Sequence, residues 1–172
     1  LAPSVAWLRN YDHFQLIRDT HKYENFNRSD VYTVGINAWT QWHLGRTAFG
    51  AELRHEELFS TNLGRPMDSL HFFTVPAYDN IYYTKHDYRT NVSFFAEHSL
   101  IFKHWTLSAG LLAQRNSGIG RSFKLYPGVD LSYRPAEGWQ LFASWNKSLR
   151  LPTFTDLYYK SPTQEGNLGL QA

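Results

Sequence analysis

The chain has 172 residues, a net charge of +2, and 17 basic against 15 acidic residues that are interspersed; no basic stripe argues for a nucleic-acid partner. With no cysteine there is neither a disulfide framework nor a thiolate metal site. No apolar run approaches the ~18 residues of a transmembrane helix, and the mean hydropathy of −0.47 carries little weight against membrane β-strands, whose two faces average out.

Taken in order, residues 4–17 predict a first strand with Ala6, Leu8, Phe14 and Leu16 on one face, and residues 18–30 a polar loop. Residues 31–43 alternate, with Tyr32, Val34, Ile36, Ala38 and Trp42 on one side. After a tight turn at Leu44-Gly45, residues 46–59 place Phe49, Ala51, Leu53 and Phe59 together, against Gly50, Glu52, Arg54 and Glu56. Residues 60–86 read as a long loop rich in Asn, Asp, Pro and Tyr. A strand over 87–102 sets Tyr88, Val92, Phe94, Ala96, Leu100 and Phe102 against Arg89, Asn91, Ser93, Glu97 and Ser99. Lys103-His104 makes a two-residue turn into a strand over 105–116, and Ser117 to Arg121 a Gly-containing turn. In the strand over 122–134, Pro127-Gly128 predicts a bulge or a very short strand beyond it, because proline donates nothing to a ladder. A seventh strand runs from Trp139 to Ser148.

Three regularities favour a membrane barrel over a soluble sandwich. Connections alternate long and short, as they do between extracellular and periplasmic rims. Aromatics of the apolar parity stand beside the short turns (Trp42, Phe102, Trp105, Tyr133, Trp139) and at the opposite ends (Tyr32, Phe59, Tyr88, Phe123); such rings suit a lipid–water boundary. Tyr32 and Trp42 are ten positions apart, which at ~3.3 Å per residue and ~40° tilt spans ~25 Å. The other face carries Glu52, Arg54, Glu56, Glu97 and Lys124, where a soluble core would be apolar. The expected fold is thus all-β: a fragment of an antiparallel transmembrane β-barrel of about seven strands, with short periplasmic turns and long extracellular loops.

No catalytic, metal or cofactor site is expected. The eight histidines are scattered without H-E-x-x-H. The nucleophile elbow G-x-S-x-G is absent. Gly118-Ile119-Gly120 opens no helix that could cradle phosphate. Aromatic loop side chains make good ligand anchors, which singles out Tyr78, Tyr82, Tyr83, Tyr158 and Tyr159, although such rings also serve to pack loops on each other. Arg150 and Asp156 read as a pair steadying the base of their loop.

The last third carries Arg150-Leu151-Pro152-Thr153-Phe154-Thr155-Asp156-Leu157-Tyr158-Tyr159, followed by Gly166-Asn167-Leu168-Gly169-Leu170. This resembles the R-x-P-T-F-x-D-L-Y and G-N-x-x-L elements of TonB-dependent outer-membrane receptors, and its wording is closest to the cobalamin receptors of Bacteroides-type bacteria. The family continues with Pro-Glu where this chain shows Gln171-Ala172. The resemblance makes Arg150, Pro152, Thr153, Phe154, Asp156, Leu157 and Tyr158 the family-motif residues. It implies that residues 1–172 are part of the C-terminal barrel domain of a larger receptor, with the N-terminal plug absent from this sequence. It further implies location in the bacterial outer membrane and import of a scarce nutrient such as cobalamin, energised by TonB through the plug region. Outer-membrane lipid and a surface lipoprotein are the other partners it suggests. A passive porin or adhesin barrel, an outer-membrane enzyme, and a receptor for siderophore, haem or glycan are the alternatives.

Overall fold

The computed structural model describes residues 1–18, 24–120 and 122–170. Residues 19–23 of the expected first loop, Arg121 of the Gly-containing turn, and Gln171-Ala172 lie outside them. The chain forms strands β1 (Ala2–Gln15), β2 (Glu24–Trp42), β3 (Gly45–Ser60), β4 (Arg65–Pro66), β5 (Phe73–Val75), β6 (Tyr78–Tyr83), β7 (Lys85–Ile101), β8 (Trp105–Asn116), β9 (Lys124–Tyr133) and β10 (Leu141–Asn146), and one short helix, α1 (Phe154–Tyr158). The main sheet has the order β1-β2-β3-β7-β8-β9-β10, with β4 beside β7, and β5 and β6 pair separately. It is antiparallel and, among the described residues, not closed on itself, as a barrel fragment should be.

The seven strands of the main-sheet order are the seven that alternation predicts. Two connections differ. β2 begins at Glu24, so the second half of the expected 18–30 loop is strand. Its residues Asn25, Phe26 and Asp30 are buried, and a polar strand is stable where partners meet its side chains. The 60–86 loop contains β4, a 3-10 turn over Ser69–His71, and the β5–β6 hairpin, elements too short for a periodic signal.

Pro127 also differs from expectation. The β8–β9 register runs from Trp105↔Tyr133 to Gln114↔Lys124 through Leu111↔Pro127 without a shift, so there is no bulge. The carbonyl of Pro127 accepts from the Lys147 amide at 3.0 Å, and pairing of β10 ends at Asn146↔Gly128. N–H and C=O of one antiparallel residue point to the same neighbour. The donor that proline lacks therefore faces the side where β10 has already ended, and the β8 ladder loses nothing.

By compactness the chain divides into two units. One comprises Leu1–Val5, Thr33–Arg54 and Thr90–Leu149. On its apolar face Pro3, Val34, Ile36, Leu53, Val92 and Phe94 line a shallow groove, and Trp105 stacks on Tyr133 at 3.9 Å. Pro3 joins this face, while Ser4 lies over Gly35 of the polar face. The odd positions of β1 thus share the apolar side, and the expected face of Ala6, Leu8 and Phe14 is its polar side; Leu16 falls beyond the strand. Interrupted alternation at Asn10 and Asp12 hid this parity.

On the polar face side chains lie flat against the sheet, because glycine leaves them room. A Cβ on Gly50 would meet the Asn37 side-chain oxygen and the Phe95 ring, and would stand 2.9 Å from the Ile36 carbonyl oxygen. Gly50→Ala should therefore cost about 1–3 kcal/mol by overpacking, measured as a lowered urea midpoint. An unchanged midpoint would show that Asn37 and Phe95 both swing clear.

The other unit comprises Ala6–Tyr32, His55–Arg89 and Arg150–Ala172. Its core is Phe26, Val75 and Tyr83, with Phe59, Met67, Phe73 and Ile81 packed around them. The β5–β6 hairpin supplies most of these side chains and lies on the Phe26–Phe59 face of β2 and β3.

Candidate functional site

The motif segment folds locally before it docks. Leu151-Pro152 ends the extended chain, since the residue before proline is kept out of helix. Thr153, in extended conformation, then caps α1. Its Oγ1 accepts from the Asp156 amide at 3.1 Å, and the Asp156 carboxylate accepts from the Thr153 amide at 2.8 Å. This reciprocal box satisfies two amides that a helix start otherwise leaves open. The Thr153 backbone bond holds the Asp156 carboxyl below its usual range, with the Thr153 side chain as second cause and Arg150 as a lesser one. Arg150 is exposed; its attraction acts through space, and the direct bonds of Asp156 go to Thr153.

Two outcomes follow for the cap. Thr153→Ala should cost about 1 kcal/mol of local stability, read as faster amide exchange over residues 153–158. For acid the direction is set by the lowered carboxyl. Its contribution is complete above the unfolded value of about 3.9 and is lost only as pH falls through the lower folded value. Intact cap signals in NMR at pH 4 are therefore expected, and a cap already lost there would contradict the box.

The downstream element closes on this helix. The Gly166 amide donates to the Tyr159 carbonyl at 2.6 Å and the Asn167 amide to that of Asp156 at 3.0 Å. A side chain at Gly166 would meet the Leu157 carbonyl carbon and oxygen at 2.7 Å. The G-N pair is thus where one backbone comes against another, which only glycine permits.

The segment is then held on β7. Arg89 donates to the Pro152 carbonyl at 2.6 Å and to the Glu56 carboxylate at 2.5 Å, and its guanidinium lies over the Phe154 ring at 4.7 Å. Tyr158 donates its hydroxyl to Asp87, and Arg65 of β4 reaches the same hydroxyl at 3.4 Å. Burial is the main reason that the Tyr158 phenol is pushed up, with the Asp87 bond second. Of the motif residues, then, Pro152, Phe154 and Tyr158 make the attachment, Thr153 and Asp156 shape the helix, and Leu157 is half-buried. Sequence reading left Arg89 and Glu56 as polar-face positions and did not single out Asp87, which shares the parity of Arg89; that parity was the only signal of a clamp.

The five loop tyrosines do not form one cluster. Tyr83 is 1% exposed and sits in the core. Tyr78 packs on Phe26 at 4.7 Å, and Tyr82 is exposed. These belong to the hairpin on the face of Phe59, His86 and Tyr88. Tyr158 is bound to Asp87, and Tyr159 ends α1 beside it. Neighbouring positions in a strand point to opposite faces, so Asp87 and Arg89 place the motif segment on the face opposite His86 and Tyr88.

A second polar cluster was hidden inside the expected 18–30 loop. Asp30, wholly buried, accepts from Trp7, Arg9 and Arg28. Among the described residues no group of three His, Cys, Asp or Glu side chains could hold a metal ion. No helix is long and apolar enough to cross a membrane, which says nothing of strands.

The family model described as TonB dependent receptor-like, beta-barrel matches residues 2–172. No curated protein and no solved structure matches the chain.

Proposed function

The chain belongs to the TonB-dependent receptor β-barrel family, and from that premise we propose that it is the barrel of an outer-membrane importer for cobalamin. The family is one of transporters of the bacterial outer membrane. In this reading the apolar face meets lipid and the polar face lines the lumen. The longer connections, among them residues 60–86, are extracellular. A plug works inside the same receptor, TonB supplies energy through it, and a surface lipoprotein assists capture.

The observation that carries the reading is the clamped motif segment. Arg89 and Asp87 hold α1 and its cap on the lumen-side parity, which is where a segment must lie to meet a ligand entering the barrel. Tyr159, at the end of α1, is the aromatic position proposed for contact, since Tyr82 belongs to the hairpin on the opposite face. Tyr83, being core, is not.

The experiment is an equilibrium titration of the intact receptor in detergent with cobalamin. Saturable binding that weakens in Tyr159→Ala supports the assignment. Absence of binding to cobalamin, with saturable binding of a siderophore, haem or an oligosaccharide, would replace the ligand while keeping the importer.

A further inference from the structure

We propose that Arg9 and Arg28, braced by Asp30, form a site for the phosphate of a lipid headgroup on the lipid-facing side, just outside the aromatic girdle. The inference rests on the lipid-facing assignment of that face under the proposed function. The position follows from a chain of ring contacts. Arg28 lies over Phe59 at 4.9 Å, Phe59 stacks on His86 at 4.5 Å, and His86 meets Tyr88 at 5.9 Å. Tyr88 contacts His55 at 5.8 Å, and His55 contacts Tyr32 at 6.4 Å. All of these side chains therefore share the face of the girdle tyrosines. Asp30 is two positions from Tyr32, about 7 Å along the strand, which is the step from the edge of the hydrocarbon into the headgroups.

His13 pairs with Glu24 at 3.5 Å and His86 with Glu57 at 3.0 Å. Arg9 and Arg28 instead share one carboxylate. Arg9 reaches Asp30 through Nε at 2.6 Å and Nη2 at 3.2 Å, and Arg28 through Nε and Nη2, each at 2.8 Å. The Trp7 indole donates to the same group at 3.3 Å. Within this triplet one carboxylate stands against two guanidiniums.

Geometry supplies the rest. Each guanidinium turns its Nε edge to Asp30, so its other edge is directed away from it; on Arg28 that edge is a second fork of N–H donors, while Arg9 also bonds the Tyr11 side chain. The two side chains remain 33% and 20% exposed. Phe59 and Phe73 fix the plane of Arg28 at 4.9 and 5.4 Å. Pre-oriented forks bind phosphate bidentately and lose little side-chain freedom in doing so. A carboxylate buried between two cations keeps them side by side without neutralising both.

The test reads lipid retention on full-length receptor in detergent mixed with phosphatidylglycerol and phosphatidylcholine, by native mass spectrometry and without any nutrient ligand. Its result is therefore independent of which nutrient is imported. Wild-type receptor should retain phosphatidylglycerol preferentially. Arg9→Gln and Arg28→Gln should each lower that retention about tenfold, and inorganic phosphate at millimolar concentration should not displace the lipid. Equal retention of the two lipids by wild type, or full retention by both variants, overturns the site. Displacement by inorganic phosphate overturns the lipid assignment and leaves an anion site. If a variant fails to fold, the comparison of the two lipids on wild type still decides.

Discussion

Arginine in place of Ile36 should destabilise the receptor by about 2–4 kcal/mol in denaturant unfolding from lipid vesicles. Ile36 lies between Tyr32 and Trp42 on the apolar parity of β2 and is 44% exposed. On a membrane face that exposure is to hydrocarbon, and an arginine near the middle of the bilayer has no headgroup within easy reach. Ser93→Arg, on the polar parity of β7, should change stability by no more than about 0.5 kcal/mol. The contrast between the two variants is the result that matters. A soluble two-layer protein would reverse it, because its polar parity would face water and its apolar parity a second layer. Equal, small effects at both positions would remove the lipid-facing assignment and the headgroup site with it.

Arg89→Ala should release the motif segment. The side chain holds the Pro152 carbonyl, the Glu56 carboxylate and the Phe154 ring together, and the Arg89–Glu56 pair is mostly shielded, with 16% and 17% exposure. Breaking such a shielded, charge-assisted set should cost about 2–3 kcal/mol. Arg150 and Lys160 flank the segment and are both exposed, so trypsin reads the release directly as faster cleavage at these two positions. Arg89→Lys should not restore protection, because an ammonium cannot lie flat on Phe154 while bridging Glu56 and Pro152. Cleavage at the wild-type rate in Arg89→Ala would mean that the Tyr158–Asp87 bond alone fixes α1.

Most of the sheet was legible in the residues because a strand states its own faces. Val34 and Ile36, or Leu107 and Leu111, alternate with small and polar residues along their strands, and a short turn leaves the two strands of a hairpin no other pairing. The motif from Arg150 to Tyr158 was legible for a different reason. A capping box and a G-N contact are local chemistry, set by residues three or a few positions apart. What lay outside the sequence's reach was which distant groups share a carboxylate or a ring. Asp30 read as a loop residue, since nothing near it in the chain announces that Trp7, Arg9 and Arg28 converge on it. Pro127 read as a defect, since whether its missing donor faces a strand depends on where β10 stops. Tyr83 and Tyr159 read alike as loop aromatics, and only packing made one of them core and left the other at the end of α1. Periodicity is a one-strand property and survives without partners; parity between strands, burial of a single carboxylate, and the assembly of Arg89 with Pro152 and Phe154 are decided by register across the sheet, which only the tertiary structure contains.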